Sequence, residues 1–212
     1  MRIRSSVTLT IVCALLLLIA SRAQADFAGD LNLGGQFNWI PLTSGTLGGG
    51  SIGPSTLNGV NLPWVYCIGF STTVSVPGDY AQTYVNTTTG QIYDNQFGPA
   101  NTLNQVPNAA QVAYLLSTYA NSANVDQVAL QAAIWHVIDG VNLSSSSSSY
   151  SDYLTYLTNV DTGNPSQFQW LSPGNGSQYF QGLITAVPIP GAIWLLGSGL
   201  VGVVGWRRKS KI

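Results

Sequence analysis

From Val125 to Gly140 the chain reads VDQVALQAAIWHVIDG, and the reading of this stretch organises the rest. Asp126 stands where a side chain can cap a helix. Val128, Ala129, Ala132, Ala133, Trp135 and Val137 recur at helical spacing, and Gly140 follows where a left-handed terminal residue belongs. One residue disturbs the pattern. Gln131 lies among Leu130, Ala132 and Ile134, so it is either a polar side chain facing out or one held inward for a reason. Upstream, after Pro107, the stretch from Asn108 to Tyr119 places Ala109, Val112, Ala113, Leu115, Leu116 and Tyr119 along one side of a second helix. Each helix is too short to persist alone, so the expectation is a helical hairpin packed on a sheet. Tyr153, Leu154, Tyr156 and Leu157 indicate a third short helix.

The sheet has to come from the flanking segments. Asp30 to Trp39 alternates in part through Leu31, Leu33, Phe37 and Trp39 and reads as a strand. Thr43 to Gly59 is rich in Gly, Ser and Thr, with Gly48-Gly49-Gly50 at its centre, and reads as a loop. No Gly-Lys-Ser or Gly-Lys-Thr follows those glycines, which excludes a phosphate-binding loop. Leu62 to Val76 supplies one or two strands, including the apolar run WVYCIGF around Cys67. Pro77-Gly78 turns the chain, and Ala81 to Tyr93 gives two further strands about Thr88-Thr89-Gly90. Ser144 to Ser149 is a low-complexity loop. Phe168 and Trp170 alternate in another strand, Pro173 to Gly176 makes a turn, and Tyr179 to Ile184 forms the last strand. The fold class expected is α+β: one domain over residues 26–186, an antiparallel sheet or sandwich carrying a small helical subdomain.

Both ends carry addresses. Residues 1–25 have the form of a secretory signal peptide: Arg2 and Arg4, then an apolar run from Leu9 to Ala20, then the small-x-small junction Ala23-Gln24-Ala25. At the other end Val187-Pro188-Ile189-Pro190 precedes an apolar run over 191–206, closed by the basic residues Arg207, Arg208, Lys209 and Lys211. That run is near the length of a lipid-crossing helix, and the basic end should stay cytoplasmic while the body lies outside. The tail, 187–212, resembles the PEP-CTERM class of bacterial sorting signals: a short proline motif, a Gly- and Leu-rich apolar segment and a basic terminus. Ile189 stands where the commonest form has Glu. The resemblance implies a Gram-negative-type bacterium that makes exopolysaccharide or biofilm matrix, and an exosortase-like membrane protease as processing partner.

Charge narrows the function classes. All seven Lys and Arg residues lie in the first 22 positions or from Arg207 onward, whereas the eight acidic residues are all Asp, between Asp26 and Asp161. The body is therefore purely acidic apart from His136. Without a basic patch it has no means of gripping phosphates, which excludes a nucleic-acid partner. It also holds no lysine that could attack an activated acyl group of its own. Clusters of metal-ligating type are missing from the sequence, and no cofactor motif is present.

Cysteine usage is the remaining clue. Cys13 belongs to the signal peptide, so the exported protein keeps Cys67 alone and cannot close an internal disulfide. Three fates are open to it: a buried inert thiol, an intermolecular disulfide, or a bond to another side chain. A Cys-His hydrolase needs Cys67 and His136 to converge, with Asp139 or Asp126 orienting the imidazole. At Cys67 and Gln131, however, the chain resembles the thioester domains of bacterial surface adhesins. In those domains a Cys within an aromatic-Cys-apolar strand condenses with the Gln of a Thr-Gln-x-Ala-Ile-Trp helix. Tyr66-Cys67-Ile68 matches the first motif and Gln131-Ala132-Ala133-Ile134-Trp135 the second, with Leu130 in the Thr position. The resemblance implies an internal Cys67–Gln131 thioester, and a secreted surface or matrix protein that couples once to an amine-bearing partner and is not an enzyme. Trp135, one turn after Gln131, and Tyr66, next to Cys67, are expected to wall the bond, with His136 also in its surroundings. Exopolysaccharide is a further candidate partner. A noncovalent structural protein of the biofilm matrix is the alternative.

Overall fold

The computed structural model describes residues 27–187. The signal peptide, the sorting motif from Pro188 and the apolar segment 191–206 lie outside the described residues. Among those described, no helix is long and apolar enough to cross a membrane.

Seven strands form a curled antiparallel sheet in the order β5-β4-β1-β7-β10-β11-β6. They are β1 (Phe27–Leu33), β4 (Ser55–Leu57), β5 (Val60–Leu62), β6 (Tyr66–Cys67), β7 (Gly78–Asn86), β10 (Phe168–Ser172) and β11 (Leu183–Ala186). Two hairpins stand apart from it, β2 (Gln36–Leu42) with β3 (Gly45–Gly53), and β8 (Gln91–Tyr93) with β9 (Leu103–Gln105). In β1 the alternation is clean, with Leu31 and Leu33 inward and Asp30 and Asn32 outward, as expected for a strand with one wet face. Central β10 is buried at all five positions, so Phe168 and Trp170 do not alternate with exposed neighbours: both faces of this strand are covered.

The glycine-rich stretch 43–59 is not a loop. It forms β3 and β4, because backbone pairing needs no side chains: β3 pairs with β2 in one register from Asn38↔Gly49 to Leu42↔Gly45, and the register shifts before the last pair, Gln36↔Gly53. The two strands expected about Thr88-Thr89-Gly90 are β7 and β8. They do not pair with each other: β8 takes β9 as its partner, and the Tyr93 N–H is held by Ser172 Oγ at 2.8 Å. Strand β9, in the polar segment before Pro107, carries no alternation that would have marked it.

Among the described residues there are three α-helices: α1 (Ala109–Tyr119), α2 (Gln127–Asp139) and α3 (Tyr150–Thr158). The ends of α2 follow the local code. Asp126 Oδ1 accepts from Ala129 N at 2.9 Å, and Gly140 adopts φ 70° while donating to His136 O at 2.8 Å. From Ala129 to Trp135 every residue of α2 is fully buried. The helix therefore runs through the core, with α1, α3 and the β2–β3 hairpin packed around it.

Candidate functional site

Strand β6 is the last in the sheet. One edge pairs with β11, Tyr66 opposite Ile184 and Cys67 opposite Leu183, while Ile52 N of β3 reaches Val65 O at 2.8 Å just before the strand begins. Cys67 thus sits where the main sheet meets the β2–β3 hairpin. Its own peptide groups are satisfied by a side chain: Cys67 N donates to Gln131 Oε1 at 2.9 Å, and Gln131 Nε2 donates to Cys67 O at 2.8 Å. Gly50 N of β3 donates to the same Oε1 at 3.1 Å. The carboxamide of Gln131 behaves as an inserted peptide group joining two strand edges. Two backbone donors on one atom and a backbone acceptor on the other fix which end is oxygen.

This explains why a glutamine occupies the core. Gln131 is fully buried, and a buried carboxamide is tolerated only when its polar atoms are paired. A leucine here lacks both functions, and a carboxylate lacks the donor. Close approach depends on Gly49, where a Cβ would stand 3.0 Å from Gln131 Cγ, 3.3 Å from Gln131 Cδ and 3.0 Å from Trp135 Cη2.

A cleft of about 250 Å³ opens beside Cys67, with Gln131 buried behind its lining. Cys67 and Trp135 line it together with Phe37, Trp39, Phe70, Val74, Val76 and Gln181. Trp135 is locked from several sides: its Nε1 donates to Gly69 O at 3.2 Å and its ring meets Phe70 edge-on at 6.3 Å. The Gly69–Ser71 segment is itself tied down, with Phe70 N and Ser71 N both donating to Gln96 Oε1, whose Nε2 in turn donates to Asp139 Oδ2 at 2.7 Å.

Of the three residues expected around the pair, Trp135 alone lines this cleft. Tyr66 turns the other way because neighbouring strand residues face opposite sides; its hydroxyl donates to Gln127 Oε1 and its ring packs on Trp64. His136 comes five positions after Gln131, roughly 140° around a helix of 3.6 residues per turn. It faces α3, with Nδ1 3.0 Å from Tyr153 Oη and 3.2 Å from Val141 O. Gly49, Gly50 and Phe70 were not identified from sequence. The Gly48-Gly49-Gly50 triplet was the available signal, and its meaning depended on recognising β3 as a strand.

Burial alone lifts the Cys67 thiol from its ordinary 9.0 to about 12, so at neutral pH the free thiol is protonated. A raised acid pKa means that the folded state holds the proton more tightly than the unfolded chain. The stabilisation is complete below pH 9 and is lost as pH rises toward 12. Urea titrations of the free-thiol form should show its advantage over Cys67→Ala shrinking across that window; a constant difference would mean that the thiol is not desolvated. Among the described residues no three His, Cys, Asp or Glu side chains gather as a metal site.

Residues 186–209 match the PEP-CTERM protein-sorting motif. The match takes in Val187, Pro188, Ile189 and Pro190, continues through the apolar segment, and ends with Arg207, Arg208 and Lys209, leaving Lys211 beyond it. Neither a curated protein nor a solved structure matches the chain. PEP-CTERM signals are recognised by exosortase, so the chain carries the mark of an exported exosortase substrate, with a membrane-anchored or surface-associated fate.

Proposed function

We propose that this exported body couples covalently to an amine-bearing surface or matrix partner through a thioester between Cys67 Sγ and Gln131 Cδ. The observation that supports the reading is the seating of the Gln131 carboxamide on the peptide groups of Cys67, 64 residues away in sequence. Condensation joins Sγ to Cδ and breaks Cδ–Nε2; the thiol proton leaves on nitrogen, and ammonia departs. In the coupling step a neutral amine attacks Cδ, the Cδ–Sγ bond breaks, and a proton passes from the amine to sulfur. The cleft beside Cys67 gives the amine its approach, and buried Trp135 shields one side of the bond from water. The device turns over once.

A second reading has its own support. The same three hydrogen bonds satisfy Gln131 as an ordinary core residue, which is what a noncovalent structural protein of the matrix requires. A Cys-His hydrolase draws no support, because the hydrogen bonds of His136 run to Tyr153 and Val141.

Fresh-sample mass spectrometry separates the two supported readings. Loss of ammonia should leave the exported body about 17 Da lighter than its sequence, methylamine should then add about 31 Da and free one thiol, and Cys67→Ala should abolish both changes. A fresh body of full mass that titrates one thiol and ignores methylamine supports the structural reading. Hydrolysis during storage is distinguishable, because it converts Gln131 to Glu and leaves the protein about 1 Da heavier than encoded. The same spectra should show the mature protein starting near Asp26 and lacking Trp206 to Ile212; recovery of the intact basic end from the surface form would mean a retained membrane anchor.

A further inference from the structure

Gln131 Oε1 is the acceptor of two backbone N–H groups from separate elements, Cys67 of β6 at 2.9 Å and Gly50 of β3 at 3.1 Å. Both are ordinary hydrogen-bond lengths to the resting carbonyl oxygen, so both donors already point at the atom on which negative charge would develop. Neither donor needs to move, since each belongs to a strand already paired or bonded elsewhere. Gly50 adopts φ +79°, and a Cβ there would meet Asn38 Nδ2 at 2.7 Å, so the conformation that aims its N–H at Gln131 is available to glycine alone without strain. The third bond, Nε2 to Cys67 O, pins the far end of the amide and sets its plane. No Lys or Arg occurs among the described residues and His136 faces α3, so neutral backbone dipoles are what the fold directs at this carbonyl.

We propose that the Gly50 and Cys67 backbone N–H groups form an oxyanion hole for the Gln131 carbonyl. The proposal rests on the thioester reading and assigns the groups that make it kinetically accessible. When Sγ adds to Cδ, the carbonyl electron pair moves onto Oε1 and the two N–H groups receive the charge. Collapse returns that pair to Cδ=Oε1 and breaks Cδ–Nε2, the nitrogen departing as ammonia with the thiol proton. Attack by an amine repeats the sequence through the same two donors, with Cδ–Sγ as the bond that breaks and sulfur taking the proton. Cys67 would then supply both the nucleophile and, through its own amide, half of the site that stabilises its attack.

The test removes one donor while keeping the conformational freedom of glycine. In the full chain made by cell-free translation, glycolic acid replaces Gly50, turning the Gly49–Gly50 amide into an ester. Refolding from denaturant should then proceed with loss of ammonia slowed about 100- to 1000-fold relative to wild type, and any thioester that forms should take up methylamine more slowly by a similar factor. Gly49→Ala, which pushes on Gln131 Cδ without deleting a donor, should slow both steps less. Equal rates for wild type and the ester variant would overturn the oxyanion hole while leaving the thioester intact. Failure of the thioester reading shows itself separately, as a wild-type chain that never loses ammonia. Should the ester variant not fold, infrared spectroscopy of the armed wild type with ¹³C at Gln131 Cδ decides the matter. A thioester carbonyl band below that of a model thioester in aprotic solvent supports two donors, and a band at or above it overturns them.

Discussion

Replacing Gln131 with leucine should destabilise the exported body by about 3–5 kcal/mol, although the two side chains are close in size. The expected loss comes from what is left behind. Gly50 N–H, Cys67 N–H and Cys67 C=O all spend their hydrogen bonds on this one carboxamide. Each stays buried and unpaired in the variant, at about 1–3 kcal/mol apiece before relaxation. The terms do not add fully, because β6 is an edge strand that can shift and admit water. Urea unfolding at neutral pH, on protein whose thiol is free, measures the effect apart from any crosslink. A loss below about 1 kcal/mol would mean that water replaces the amide at little cost. The strand edges would then not depend on Gln131.

Trp135→Ala should cost a similar amount, about 3–5 kcal/mol, for a different reason. The indole is fully buried, so its removal leaves a cavity that the surrounding strands cannot fill, and Gly69 O loses the Nε1 donor. Because Trp135 lines the cleft beside Cys67, the same change should open the sulfur to reagents. Two readouts are therefore expected to move together in the free-thiol form, a lower unfolding midpoint and faster thiol labelling under native conditions. Labelling at the wild-type rate, despite the lost stability, would show that Phe70 and the β2–β3 hairpin guard Cys67 without help from the indole.

Much of the site could be read from the chain because its determinants are local. Helix α2 begins and ends where Asp126 and Gly140 say it should, since a cap is a bond between residues three or four apart and a left-handed stop needs only glycine. Two short motifs single out Cys67 and Gln131, and in the fold the Gln131 carboxamide hydrogen-bonds the backbone N–H and C=O of Cys67. The sorting tail was legible for the same reason, as a linear motif read by a protease from its sequence.

The errors share a cause as well. Gly48-Gly49-Gly50 reads as a loop because nothing in its side chains favours a strand; β3 exists because β2 supplies partners for its backbone, and its bare face is what lets α2 approach. Tyr66 and His136, placed beside the pair by nearness in sequence, are turned away by strand alternation and helical pitch.

By itself, then, the sequence determined the local elements and the sorting address: the ends of α2, the acidic character of the body and the C-terminal tail. Which donors meet the Gln131 carbonyl was decided only in the tertiary structure. Those bonds join residues 64 and 81 positions apart, and they form only when a sheet edge, a glycine-rich hairpin and a buried helix arrive at one point together.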